Sequence, residues 1–139
     1  MMNSASQMKL GLWLGSKQQQ PWERGKNDCC TLFMEYHDHM FGTNTLDTLY
    51  GKYNNLRGAI RLARKFLTVD EWFPQHGYTR VDKPHTGDIV MVRQRYFPSS
   101  YIICMGQAWG ISDESKRMTR HVIEEPRVEY SIWRHEAWA

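Results

Sequence analysis

The sequence predicts an α+β fold, and three observations carry that prediction. Apolar residues recur at helical spacing in two segments of the first half, near residues 29–41 and 56–67. After Pro84 the pattern changes to short β-rich runs broken by Gly, Ser-Asp and Pro. Helices therefore come first and strands second, an order that points to N-terminal helices packed on an antiparallel β-meander and not to alternating βαβ units. A chain of 139 residues suits one domain with a real core, divided into an N-terminal extension or helix over 1–20 and a core over 21–135.

Each element has its own signal. Residues 7–15 carry Leu10, Leu12, Trp13 and Leu14 and read as a short helix or turn, followed by a polar connector from Ser16 to Pro21. The first clear helix is expected over Cys29 to Phe41: Asn27 or Asp28 supplies an N-cap, Leu32, Phe33, Tyr36 and Met40 repeat at helical spacing, and Gly42 supplies the stop. Gly42 to Asn55, rich in Gly, Thr, Asn and Tyr, reads as loop.

Asn54 or Asn55 can cap a second helix, whose apolar stripe is Leu56, Ala59, Ile60, Ala63, Phe66 and Leu67. Arg57, Arg61, Arg64 and Lys65 lie mostly away from that stripe; they read as a solvated face, with a phosphate- or partner-binding face as the alternative. Strands are expected at Asp88 to Arg93, Tyr101 to Met105, Ala108 to Ile111, Thr119 to Ile123 and Val128 to Trp133.

Composition narrows the function classes. Hydrophobic residues make up 41% and charged residues 24% of the chain, as in ordinary globular domains. No run approaches the roughly 18 apolar residues of a membrane helix, and the start of the chain lacks the basic-then-apolar pattern of a signal peptide. Synthesis in a cytoplasm, without a membrane partner, is the expectation. A net charge of +3 argues for no specific nucleic acid. Three cysteines, two of them adjacent, do not form a disulfide framework.

The motif that carries chemistry is Trp22-Glu23-Arg24-Gly25-Lys26-Asn27-Asp28-Cys29-Cys30-Thr31-Leu32-Phe33. A polar, glycine-containing loop runs into paired cysteines where a helix is expected to begin. A thiol in the first turn of a helix faces unpaired N–H groups and the positive end of the dipole, both of which favour thiolate. Cys29 is thus a candidate nucleophile, or else a small buried hydrophobe at a helix start. Cys30 and Cys104 read as core residues. His37 and His39 are two apart and do not share a helix face, so they make no metal pair, and no metal or cofactor is expected. Gly87-Asp88 reads as a turn capped by the aspartate, with His85 beside it. Trp109, Trp133 and Trp138 read as core or interface, the last as a tail that docks onto something.

Several of these segments together resemble the NlpC/P60 superfamily of papain-like cysteine peptidases, and are most similar to its small phage-encoded branch. Asp28-Cys29-Cys30-Thr31-Leu32-Phe33 resembles the family's Asp-Cys-Ser-Gly-Phe block, and Gly87-Asp88-Ile89-Val90-Met91-Val92 its Gly-Asp-hydrophobic strand. Tyr101-Ile102-Ile103-Cys104-Met105-Gly106 is similar to its second strand, Tyr130-Ser131-Ile132-Trp133-Arg134 to its last, and Leu49-Tyr50-Gly51-Lys52-Tyr53 to a loop of the phage branch. The resemblance implies a papain-like NlpC/P60-type fold, with Cys29 as nucleophile, a histidine on the second strand as base, and a polar residue on the next strand to orient it.

By motif position the histidine's place falls on Ser100, with Tyr101 beside it, and the orienting residue near Ser112 or Asp113. Serine hardly titrates and tyrosine titrates near 10, so neither does a histidine's work near neutral pH. His121, in Arg120-His121-Val122-Ile123, is the alternative base. Three readings stay open. One is a catalytically degenerate phage protein with a structural or assembly role in the virion or tail, partnered by other phage structural proteins. The second is an active cysteine peptidase or amidase on peptidoglycan stem peptides, with Cys29 and His121 as a dyad. The third is an acyl- or amide-processing enzyme on a small substrate.

Overall fold

The computed structural model describes residues 1–66, 69–93, 98–111, 115–121 and 130–139, without the side chains of 63, 65, 66 and 69. The expected residues Leu67, Ser112, Asp113, Val122, Ile123 and Val128, and the side chains of Ala63, Lys65 and Phe66, lie outside the described set.

Helix α1 spans Ser4–Gln18, three residues longer at each end than the expected 7–15, and Asn3 caps it: its side chain accepts from the Ser6 N–H at 2.8 Å. Leu10, Trp13 and Leu14 face the core. Helix α2 is Leu32–Phe41, and Gly42 ends it in the left-handed conformation at φ 67°. The following segment is mostly turns around a short 3₁₀ helix, Thr45–Thr48, gathered onto the Asp38 carboxylate. That carboxylate accepts from Thr43, from both the hydroxyl and N–H of Thr45, and from the Leu46 N–H.

Helix α3, Leu56–Phe66, is capped by Asn55, whose side chain accepts from the Gly58 N–H at 2.7 Å. Helix α4, Val69–Gln75, contains Pro74 and is held by burial of Trp72 and Phe73. Among the described residues, no helix is long and apolar enough to cross a membrane.

The strands are β1 (Tyr78–Val81), β2 (Ile89–Val92), β3 (Ser99–Cys104), β4 (Gln107–Ile111), β5 (Met118–His121) and β6 (Tyr130–His135). They form one antiparallel sheet in the order β1-β6-β2-β3-β4-β5. The architecture is α+β. The expected meander is correct for β2 to β5; β6 departs from it by returning to the far side and filling the space between β2 and β1.

Strands β2 and β3 are covered on both faces. Ile89, Met91 and Ile102 join the helices in the main core. Val90 and Ile103 point the other way, into a second cluster with Ala108 and Ile132. A sheet buried on both faces explains why residues 89–92 run apolar without alternation.

Long-range polar ties fix the helices to the sheet. The Tyr36 hydroxyl donates to the Gly87 carbonyl at 2.7 Å. The Arg134 guanidinium grips both oxygens of the fully buried Asp88, at 3.0 and 2.8 Å. Trp138 does dock, onto its own chain, with its ring 5.3 Å from that of Phe41. Trp133 stacks on Phe73 at 5.0 Å. Cys104 is a correction: it is half-buried at the end of β3, not a core residue.

Candidate functional site

The segment before α2 is built around one carboxylate. Glu23 and Asn27 exchange backbone hydrogen bonds at 3.2 and 2.7 Å and close a tight loop over Arg24, Gly25 and Lys26. Gly25 turns that loop at φ 86°, and a Cβ there would run into the Tyr53 carbonyl oxygen, so only glycine fits. Asp28 follows, 1% exposed.

One oxygen of Asp28 accepts from the N–H groups of Cys30 (2.9 Å) and Thr31 (3.0 Å); the other accepts from the Gly25 N–H (2.8 Å). The Tyr53 hydroxyl donates to both, at 2.9 and 2.7 Å. Thr31 completes the turn: its hydroxyl accepts from the Asp28 N–H at 3.0 Å and donates to the Asp28 carbonyl at 3.2 Å.

Lys17 anchors the segment from α1. It is 1% exposed, and its ammonium donates to the side chains of Asn27, Glu35 and Gln20. Asn27 in turn donates to the Pro21 carbonyl at 2.9 Å. A buried ammonium is stable only when paired and hydrogen-bonded in this way.

These contacts correct the expected helix start. The helix begins at Leu32, not at Cys29; residues 29–31 form the turn ahead of it. The N-cap position of α2 is Thr31, with no side-chain cap bond. Asp28 caps the turn ahead of it instead, and its carboxylate takes the Cys30 and Thr31 N–H groups that could have polarised a thiol.

Cys29 and Cys30 are 3% and 4% exposed and pack with Tyr53 and Ala59, flanked by Ile60 and Leu62. The Cys30 thiol is pushed well above its ordinary range, first by its hydrogen bond with Cys29, then by burial and by the electrostatic influence of Cys29 and Asp28. Tyr53 is likewise pushed far up, mainly by burial and then by its acidic neighbours. Neither group is an acid or base near neutral pH.

Ser100, which the motif count sets at the base position, makes backbone contacts. It is fully buried on β3, its hydroxyl donates to the Cys29 carbonyl at 2.9 Å, and its N–H reaches the same oxygen at 3.3 Å. Ser100 thus clamps the backbone of the Cys29 turn.

Tyr101, the next residue, turns to the other face with Val90 and Ile103. Its ring lies over Gly110 and meets the His121 ring edge-on at 5.0 Å. Its hydroxyl is pushed up by burial first and by Cys29 second. His121, on β5, pairs with Ala108 of β4, and its Nε2 is hydrogen-bonded to the Thr119 hydroxyl at 2.8 Å. Among the described residues no hydrogen bond joins Cys29 to a histidine. The structure brings Cys29 to Ser100, and brings His121 to Tyr101 and Thr119.

The remaining candidates are structural in their contacts. Asp88 accepts from the His85 N–H at 2.7 Å, which is the expected turn, while its pairing with Arg134 had no local sequence signal. His37 is hydrogen-bonded to the Tyr78 hydroxyl at 2.8 Å, amid Phe41, Trp72, His76 and His135. His39 stacks on Trp13 at 5.8 Å. Among the described residues no group of three His, Cys, Asp or Glu is placed to hold a metal ion.

Sequence reasoning missed Tyr53, Lys17 and Arg134. Tyr53 had a signal in the Leu49–Tyr53 loop that carried part of the family resemblance. Lys17 and Arg134 read locally as ordinary surface charges.

No curated protein and no solved structure matches the chain. The model of the family described as "Domain of unknown function (DUF6950)" covers residues 3–132, from the cap of α1 into β6 and including every residue of the Asp28 site. The chain belongs to the DUF6950 family.

Proposed function

We propose that this protein is a catalytically degenerate relative of the papain-like NlpC/P60 peptidases, with a structural or assembly role in a phage virion or tail. One observation carries the reading. The Ser100 hydroxyl, at the position the resemblance reserves for the catalytic histidine, is bonded to the Cys29 backbone carbonyl. A serine in that place can hold the loop but cannot take a proton from a thiol near neutral pH. Asp28, Tyr53 and Thr31 support it, since their polar groups are bonded to one another and to the turn. The phage association rests on the sequence resemblance, above all on the Asp28–Phe33 block and the Leu49–Tyr53 loop.

Two measurements test the proposal. Purified protein incubated with peptidoglycan should release no soluble muropeptides beyond the background of Cys29→Ala. Release that requires Cys29 would establish the peptidase reading instead. The assembly role predicts the protein in purified particles of a phage that encodes it, at constant stoichiometry. Its presence in lysate alone, with none in particles, would defeat that role.

A further inference from the structure

Helix α3 carries a surface that the Cys29 site does not use. An open hollow of about 660 Å³ runs along it, lined by Leu56, Arg57, Ile60, Arg61 and Arg64. The three arginines are exposed and follow an i, i+4, i+7 spacing, so they form one row about 10 Å long. Among the described residues no carboxylate pairs with any of them. Leu56, 41% exposed, stands beside them, and Ile60 runs from the hollow to the cluster that contains Cys29 and Cys30.

We propose that this row is a docking site for an acidic amphipathic segment of a partner protein, one that presents carboxylates at helical spacing beside aliphatic side chains. Charge complementarity argues for it: guanidinium groups match carboxylates in a bidentate fork and need less dehydration than ammonium groups. The apolar lining argues for a peptide over a nucleic acid. Among the described residues no aromatic ring lines the hollow to stack a base on, whereas Leu56 and Ile60 offer a floor for leucine or isoleucine. The row is independent of the chemistry at Cys29 and holds whether or not that thiol is reactive.

The test is fluorescence anisotropy on the full chain with three labelled probes. One is a Glu/Leu peptide with glutamates at i, i+4 and i+7, the second the same peptide with lysine for glutamate, and the third a single-stranded oligothymidine. The acidic peptide should bind saturably and weaken as salt is raised. Arg57→Gln/Arg61→Gln/Arg64→Gln should weaken it about tenfold, as expected for a few exposed ion pairs. Leu56→Ser should weaken it by a smaller factor, with circular dichroism unchanged in both variants. Should the triple variant fail to fold, the charge reversal Arg57→Glu serves in its place, with the same direction of effect. Absence of saturable binding, tighter binding of oligothymidine, or binding indifferent to the arginine changes would overturn the proposal.

Discussion

Removing the Asp28 carboxylate should cost more stability than any other change at the site. In Asp28→Ala, the N–H groups of Gly25, Cys30 and Thr31 and the hydroxyl of Tyr53 lose their acceptor together, in a place that is 1% exposed. A buried donor left unpaired costs about 1–3 kcal/mol, and loss of a side chain that caps a turn in the manner of a helix N-cap about 0.5–2 kcal/mol. The four losses are not additive, because the vacated space admits water and the loop can relax. A total of about 3–5 kcal/mol follows, a large share of the roughly 5–15 kcal/mol that holds a domain folded.

Urea unfolding followed by tryptophan fluorescence reads this directly, since Trp13, Trp72, Trp133 and Trp138 are buried. With a slope of about 2 kcal/mol per molar, the midpoint should fall by about 1.5–2.5 M. Tyr53→Phe, which removes one donor along with its need, should cost only about 1 kcal/mol. Asp28→Asn should fall between the two, because its amide turns a donor toward donors that the carboxylate had accepted. A cost below about 1 kcal/mol for Asp28→Ala would refute the reasoning and leave Asp28 free for a role in chemistry.

Three further outcomes follow from the same contacts. Gly25→Ala should destabilise by at least about 2 kcal/mol, measured by the same midpoint, because both the left-handed φ of 86° and the Tyr53 carbonyl oppose a Cβ. Lys17→Met should cost about 1–3 kcal/mol by leaving Glu35, 24% exposed, and Asn27 without their shared donor, and Glu35→Gln in the same background should recover part of it. Burial, then the charges of His76 and His135, lower His37 to about 4 against an ordinary 6.5, with Asp38 opposing. Below pH 6.5 the unfolded chain therefore takes up a proton that the fold refuses, so stability is full above that pH and falls between 6.5 and 4, by up to about 3 kcal/mol. Thermal midpoints measured across that window should fall with pH, and His37→Phe should flatten the slope.

The fold was legible where local chemistry decides it. Gly42 stops α2 because the backbone there needs a positive φ, and the 89–92 run reads as a strand because it is short and apolar throughout. Helix α4 was not legible: it is seven residues long, contains Pro74, and exists because Trp72 and Phe73 are buried against Phe33 and Tyr78. Strand β1 is four residues at the edge of the sheet, paired among the described residues only with β6, fifty residues away in sequence and more. At the site, Asp28 was visible as a capping residue, but it caps a turn and not α2, whose start was placed at Cys29 because nothing local shows that three residues of turn precede it. The link from Asp28 to Tyr53, like that from Asp88 to Arg134, depends on tertiary placement that residue type alone does not encode.

The central claim is that Cys29 is held as a packed residue and not as an activated nucleophile. The most direct measurement is the rate of iodoacetamide labelling of Cys29 near neutral pH, resolved from Cys30 and Cys104 by mass spectrometry, in the native chain and in urea. Burial at 3% exposure, with no histidine bonded to it among the described residues, predicts that native Cys29 labels more slowly than the same residue in the unfolded chain. Native labelling that outpaces the unfolded chain, and that is lost in His121→Ala, would contradict the account.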